Sequence, residues 1–503
     1  MSAIDAIMAD FKTDPYLHQL KEFETSCNMT ERAFLWQMRT GKTKITIDTA
    51  CHMFKKGMID AVIVIAPNGV HENWTRRELP THHWDTCPYD TLVWRTDACG
   101  ERGIDRVRAL ERRGWIETHD AWWERSKRLL SRGERLAWFS FNSESMTRAD
   151  VRKLIAKVAK KKRFLLVVDE SHDFRTPGSK RTSMIRAFAK RAVARRILTG
   201  TVVSNSPLHA WAQFEILTPG ALGYSKYSEF KTHYAEYKTE TTRAGRKYPK
   251  LVGYRNLDEL TETIAKWSSV VLRSDCEDLP ELIRTPRSIQ PTDEQRRIYK
   301  ELHSSFEVEV GDELVSIGED SQKLVKLQQV MSGYLLDEFG DRYVVPGVNP
   351  RLEAMSDEVY LSSGKVIIWC RFRQDIDWVC ERLREDGHKV VEYHGRVSSE
   401  NKNKSIDAFR DDEEVKVLVG YPFGGHNLAS ADTILNYSHT FDAILREQSD
   451  ERATEVGGAN VSVVDFVMLG PDQYILDNLA EKVHIADAVG RDGLKEVLRR
   501  IAI

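Results

Sequence analysis

Gly41-Lys42-Thr43 follows a short apolar run, Ala33-Phe34-Leu35-Trp36, and precedes Ile45-Thr46-Ile47-Asp48-Thr49-Ala50, which reads as a helix. Glycine, lysine and a hydroxyl at a helix start form a phosphate-handling combination. Backbone N–H groups at the helix N-terminus wrap an anion, the lysine neutralises its outer charge, and the hydroxyl can ligate magnesium. The early glycine of the full GxxxxGK[ST] pattern is Trp36 here, so the triplet alone fits an ordinary helix start equally well. A second reactive pair lies downstream, where Leu165-Leu166-Val167-Val168 ends in Asp169-Glu170-Ser171-His172. An apolar strand ending in two carboxylates sets them at the carboxyl edge of a parallel sheet, where such sheets bind ligands. There Asp169 would hold Mg2+, and Glu170 would orient an attacking water and take its proton. The alternative is a polar surface loop.

Residues so far apart need a scaffold of buried strands to bring them together. Apolar runs with little alternation, at 33–36, 61–65, 136–139, 164–168 and 196–198, read as strands covered on both faces. A second series occupies 366–369, 389–392, 415–419, 433–435 and 461–464. The predicted fold is α/β, with two parallel-sheet units. Residues 1–221 form the first lobe and 363–471 the second. Residues 222–362 form a mostly helical, charged insertion and connection, with hairpins around Gly311-Asp312 and Gly340-Asp341. Residues 472–503 form a helical tail, with Leu476, Leu479, Val483 and Ile485 spaced as one face.

Composition narrows the class. The chain has 503 residues, 41% apolar and 30% charged, which is globular rather than disordered. No apolar run is long enough for a membrane span, and the N-terminus lacks the pattern of a secretory signal. The seven cysteines are scattered without a CxxC pair or a Cys/His cluster in sequence, the pattern of reduced intracellular thiols without structural zinc. The expected location is the cytoplasm or nucleoid, or the host cytoplasm for a viral protein, and the expected state is a monomer. Formal net charge is only −2, so a nucleic acid would have to be held by local basic patches.

The two motifs belong to a longer ordered set. Gln19 lies in Pro15-Tyr16-Leu17-His18-Gln19-Leu20, ahead of Met38-Arg39-Thr40-Gly41-Lys42-Thr43, and Ile65-Ala66-Pro67 and Asp169-Glu170-Ser171-His172 follow. Leu198-Thr199-Gly200-Thr201-Val202-Val203-Ser204-Asn205-Ser206-Pro207-Leu208 comes next, with Trp211 and Pro219 beyond it. Tyr393-His394-Gly395, then Gly424-Gly425-His426-Asn427-Leu428-Ala429-Ser430-Ala431-Asp432, then Gln448, Glu451 and Arg452 complete it. In this order the set resembles the motifs of Swi/Snf-type superfamily 2 helicases and ATPases, from about Pro15 to Val467.

The resemblance implies two RecA-like lobes of the P-loop NTPase type, ATP and Mg2+ as cofactors, and DNA, duplex or branched, as partner. Gln19 resembles an adenine-reading glutamine, and Arg39, Thr40, Gly41, Lys42 and Thr43 fall in the ATP-binding loop. Thr43 and Asp169 would hold the metal. Lys42, Glu170, Gln448 and Arg452 would act in catalysis, with Arg452 as arginine finger. His172, Thr199, Gly200, Thr201, Gly425 and Asn427 would couple nucleotide state to movement. DNA contacts are expected near Asn205 and on the basic segment carrying Lys160, Lys161 and Lys162, which could equally be a solvated helix face.

Two positions depart from the family pattern. Arg39-Thr40 stands where Gly-Leu is usual, and Arg39 either adds charge near the phosphates or points to solvent. Glu455 occupies the second arginine position of the sixth motif. A carboxylate there would repel a γ-phosphate, which leaves Arg452 alone, Arg446 in its place, or slow turnover. The expected function is a DNA-dependent ATPase that translocates on double-stranded or branched DNA, as in fork remodelling or branch migration during replication, recombination or repair. Two alternatives stay open: an ATP-gated DNA-binding protein with weak hydrolysis, and an RNA helicase of the same superfamily.

Overall fold

The computed structural model describes residues 9–68, 70–94, 119–131, 133–200, 206–241, 247–276, 280–305, 307–311, 313–316, 323–422, 428–454, 458–477 and 479. The chain divides into two compact units between Cys276 and Glu277.

The strands of the first unit are β1 (Glu31–Trp36), β2 (Ala61–Ala66), β3 (Tyr89–Val93), β4 (Leu136–Asn142), β5 (Phe164–Asp169), β6 (Ala194–Leu198), the hairpin β7 (Ala235–Thr241) and β8 (Lys247–Tyr254), and β9 (Ser268–Val271). Seven of them form one parallel sheet in the order β3-β4-β2-β5-β6-β1-β9. Every residue of β2, β4 and β5 is buried, as the unbroken apolar runs require. Alternate positions feed opposite cores. Ile63, Ile65, Leu166 and Val168 face one, and Val62, Val64, Leu165 and Val167 face the other. Helices α1 (Leu17–Ser26) and α2 (Lys42–Lys55) contribute Phe23, Ile45, Ile47 and Met53 to the second core. Helices α3 (His119–Leu129), α4 (Ala149–Lys161), α5 (Lys180–Ala189), α6 (His209–Leu217), α7 (Tyr227–Tyr234) and α8 (Leu257–Ala265) pack on the first.

The adjacency of β5, β6 and β1 builds the site. Asp169 registers with Leu198, and Leu198 with Phe34, so the ends of these three strands come side by side.

The second unit holds β10 (Leu282–Ser288), α9 (Asp293–Ser304), β11 (Glu307–Val310), β12 (Glu313–Ser316), α10 (Lys323–Met331), β13 (Tyr334–Leu336), β14 (Arg342–Val344) and α11 (Pro350–Leu361). It continues with β15 (Lys365–Trp369), α12 (Arg373–Glu385), β16 (Lys389–Tyr393), α13 (Ser399–Asp411), β17 (Val415–Gly420), β18 (Ala431–Asn436), α14 (Ala443–Asp450) and β19 (Val461–Val467). Its sheet is six parallel strands in the order β10-β19-β18-β15-β17-β16. The hairpins expected around Gly311 and Gly340 are β11–β12 and β13–β14.

The connecting region differs from the sequence reading of 222–362 as a separate, mostly helical segment. Residues 222–276 belong to the first unit, where β9 extends the sheet beside β1. Beyond 276 the chain belongs to the second unit, where β10 extends that sheet beside β19. Both are edge strands, β9 only four residues long and β10 carrying Pro286. An edge strand tolerates proline and needs no unbroken apolar run, so its sequence signal is weak. The polar hairpin β7–β8 gives no apolar signal either. The tail from 480 onward lies outside the described residues, and no described helix is long and apolar enough to cross a membrane.

Candidate active site

The candidate phosphate loop is the turn from β1 into α2. Gly41 caps the helix in the left-handed region at φ 85°, with no side-chain cap. The backbone conformation demands glycine, and a Cβ there would sit 1.8 Å from Gln19 Nε2 and displace that amide. Gln19 is buried and locks the loop from behind. Its Oε1 accepts from Tyr16 N–H at 2.9 Å, and its Nε2 donates at 3.4 Å to the Thr40 and Gly41 carbonyls. His18 Nε2 lies 2.7 Å from the Thr40 carbonyl, and the Thr40 hydroxyl donates to Gln37 O at 2.7 Å. Lys42 Nζ donates to Trp36 O at 2.7 Å and Gln37 O at 3.0 Å, which folds the ammonium over the mouth of the loop. Thr43 is half-buried in the first turn of α2. Arg39 is half-buried at φ 64°, so this loop holds two left-handed residues within three positions. Trp36, in the early-glycine position, is wholly buried, and its indole N–H donates to Ser269 of β9 at 2.8 Å.

The carboxylates stand at the end of β5. Asp169 is 7% exposed; its Oδ1 accepts from Glu170 N–H at 3.0 Å and its Oδ2 from the Trp74 indole at 2.9 Å. Burial first, then the Glu170 charge, pushes its carboxyl up to about 6 against the opposing pull of Lys42. A positive charge at this carboxylate would oppose the shift. Glu170 has left-handed backbone at φ 49°, a costly conformation for a side-chain-bearing residue and one found preferentially at functional sites.

His172 links this edge to the end of β6. Its Nδ1 lies 3.3 Å from Glu170 Oε2 and 3.2 Å from the Thr199 hydroxyl. Burial lowers its pKa, but the Glu170 hydrogen bond and charge, with Asp173 behind, outweigh that and leave it raised. Thr199 N–H donates to Phe34 O at 3.1 Å, and a Cβ on Gly200 would lie 3.6 Å from Trp36 O. Gln19, Lys42, Thr43, Asp169, Glu170, His172, Thr199 and Gly200 therefore gather at one sheet edge. Thr201 and Asn205 lie outside the described residues.

In the second unit, Gln448 is half-buried on α14, and Arg452 is half-buried on the 3-10 turn Glu451–Ala453 that follows. The Arg452 carbonyl accepts from Leu428 N–H at 2.8 Å, which ties the sixth motif to the end of the fifth. Arg446 is buried in an ion-pair network. Its Nε donates to Asp450 at 2.7 Å and its Nη2 to Asp465, with His439 beside it. That network satisfies the Arg446 guanidinium within the second unit. Gly425, Asn427 and Glu455 lie outside the described residues.

The chain matches the SNF2-related domain family over residues 29–336 and the helicase conserved C-terminal domain over 351–457. It belongs to the SNF2-related family. Among known proteins this SNF2-related chain is 23% identical to the uncharacterized ATP-dependent helicase MG018 of Mycoplasma genitalium, over 66% of this chain and 30% of that protein. It is also 23% identical to the ISWI chromatin-remodeling complex ATPase ISW2 of Saccharomyces cerevisiae, over 91% of this chain and 39% of that one. The chain thus spans well under half the length of these relatives. The Sulfolobus solfataricus SWI2/SNF2 ATPase core in complex with dsDNA aligns over 98% of each chain, at 19% identity and a TM-score of 0.39.

The sequence of this SNF2-related protein concealed several partners of the site. Trp74 is 95 residues from Asp169 and lies in no motif used above. Ser171 donates to the buried Gln213 at 2.8 Å, which anchors the carboxylate loop to α6. Lys162 differs from its expected exposed role: it is buried, and its ammonium donates to Ser131 O at 2.6 Å. Lys160 and Lys161 are exposed, but they end the helix that precedes β5, one strand length of roughly 20 Å from the Asp169 end. Trp122 packs in the core, edge-on to Trp94. Cys51, His83 and Cys87 meet with ligand atoms within 4.8 Å of one another, although the sequence spacing shows no cluster. The His83 nitrogens face Trp138 Nε1–H at 3.1 Å and Trp84 O at 3.4 Å, so the imidazole is already engaged and the trio packs as core.

Proposed function

We propose that this SNF2-related chain is a DNA-dependent ATPase that translocates on double-stranded or branched DNA. One observation carries the catalytic half. Lys42, Asp169 and Glu170 converge at the carboxyl edge of β1 and β5, with Lys42 close enough to counter the upward shift of the Asp169 carboxyl. The residues fit a magnesium nucleotide, since no side chain caps the N-terminus of α2 at Gly41 and the buried Asp169 lacks a full counter-charge. Bound ATP·Mg2+ would supply the transferable phosphoryl group and that missing positive charge. Lys42 would release its two loop carbonyls to bind the outer phosphates. Thr43 and Asp169 would hold the metal, and Glu170 would orient water and receive its proton. Arg452 would supply the arginine of the sixth motif. His172, shared between Glu170 and Thr199, would pass the charge state of the site to the segment after β6.

DNA as partner rests on the family and on the 198–208 segment, which resembles the duplex-DNA branch. An RNA-directed reading has one observation in its favour, a 33% identity with the ATP-dependent RNA helicase DBP5 of Mycosarcoma maydis, confined to 79 residues. A panel of linear duplex, single strand, fork, four-way junction and RNA duplex, scored for ATP turnover and for displacement of a third strand from a triplex, decides between them. Displacement on duplex DNA supports translocation. Turnover stimulated by RNA alone would transfer the proposal to RNA, and DNA binding that tightens with ATP without turnover would make the chain an ATP-gated binding protein.

A further inference from the structure

We propose that Trp74 is a positioning residue for the magnesium carboxylate, holding Asp169 by its indole N–H so that the metal meets a pre-aimed ligand. The inference rests on the assignment of Asp169 to Mg2+ above.

The helical stretch over 70–82 joins β2 to β3, and its middle turn, Trp74–Glu78, is π-helical. Such turns are rare and concentrate at functional sites, because the extra residue re-aims the side chains around it. Trp74 opens this turn. It is 1% exposed and packs at a tilt against Trp138 of β4, ring centroids 6.3 Å apart. From there its Nε1–H donates to Asp169 Oδ2 at 2.9 Å, while Glu170 N–H donates to Oδ1 at 3.0 Å. Both oxygens are thus held by neutral donors on different elements, which fixes the plane of the carboxylate. Each oxygen keeps lone-pair capacity for a cation.

The chemistry of the donor matters. An arginine or lysine here would orient Asp169 but would also neutralise it, in competition with the metal. A serine or asparagine could turn an oxygen toward the metal and become a ligand itself. Indole is a donor only, carries no charge and sits on a rigid ring. It orients the carboxylate without competing for the ion, the role that hydrogen-bonding partners play behind metal ligands generally.

The test uses the full chain and a fluorescent, non-hydrolysable ATP analogue, titrated with Mg2+ and followed by anisotropy. Trp74→Phe is expected to raise the magnesium concentration at half-maximal tightening by about tenfold. Analogue affinity without magnesium should stay at the wild-type value, and excess magnesium should restore tight binding. A Phe variant that folds and keeps the wild-type magnesium midpoint overturns the proposal. Wild-type binding indifferent to magnesium would instead remove the assignment of Asp169, and the role of Trp74 with it. A second readout needs no change at position 74. Among the twelve indole N–H resonances of the wild-type chain, the one displaced by Asp169→Asn should also shift when Mg2+ is added to the nucleotide complex. A spectrum in which that resonance stays still overturns the proposal even if Trp74→Phe fails to fold.

Discussion

Asp169 concentrates the electrostatic cost of the site, since burial and then Glu170 hold its carboxyl near 6 rather than at the ordinary 3.8. In the window from about pH 4 to about 6, the folded chain keeps a proton that the unfolded chain has released. Stability therefore falls as pH rises through that window, and the full cost is present above it. Asp169→Asn removes this charge, a cost on the order of 2–3 kcal/mol at neutral pH. It also sets an amide NH2 against one of its two donors, Trp74 Nε1–H or Glu170 N–H, at a cost of about 1–3 kcal/mol at every pH, and should nearly abolish ATP turnover. Denaturant unfolding of both proteins at about pH 4.5 and 7.5 checks this. The variant's stability relative to wild type should rise from the lower pH to the higher one, and an equal difference at both would refute the electrostatic origin. Lys42 contrasts with Asp169. Lys42→Ala frees two loop carbonyls that nearby water can satisfy, so turnover should vanish with a loss of no more than about 1 kcal/mol in stability. Lys42, Thr43, Asp169 and Glu170 were legible as candidates because Asp169 and Glu170 close an apolar strand and Gly41-Lys42-Thr43 opens the helix after one, signals visible one segment at a time. Trp74 was not, because its role exists only where two distant segments meet.

At the scale of elements, the phosphate loop and the sixth motif make opposite demands. Gly41→Ala places a Cβ on Gln19 Nε2 and forces alanine to φ 85°. The expected cost is roughly 1–3 kcal/mol, with loss of nucleotide binding. Gln19→Ala in the same chain should recover the steric part and leave the conformational part, which paired melting curves would separate; full recovery would show that φ is unstrained. The two arginines near the sixth motif should separate as well. Arg446→Met leaves Asp450 and Asp465 short of their buried partner and should destabilise the second unit by about 3–5 kcal/mol. Arg452→Ala should leave melting nearly unchanged and cut turnover by 10³-fold or more, as expected of an arginine finger. Near-normal turnover in Arg452→Ala would end that assignment. The sequence could not separate these arginines, six residues apart, because the distinction lies in Asp465 on β19, a strand away from α14. The interior strands of both sheets were legible as unbroken apolar runs. The edge strands β3, β9 and β10 were not, their polar residues breaking the run, whereas the edge strand β16 was read through Val390 and Val391.

For the molecule as a whole, the two parallel sheets, the ordered motifs and the family match agree on a member of the SNF2-related family. Net charge of −2 gives no global field to draw in a polyanion, so the proposed binding to DNA would rest on local contacts and is expected to fall steeply with salt. The division of the chain at 276/277 was not visible in composition, because charged helices and polar hairpins continue across it. The steady-state rate of ATP hydrolysis with and without saturating linear duplex DNA, with Lys42→Ala as the inactive control, tests whether the chain is a DNA-driven motor. A magnesium-dependent rate that duplex DNA raises at least tenfold, and that Lys42→Ala abolishes, is the result expected of a DNA-driven motor. A wild-type rate that is the same with and without duplex would contradict it.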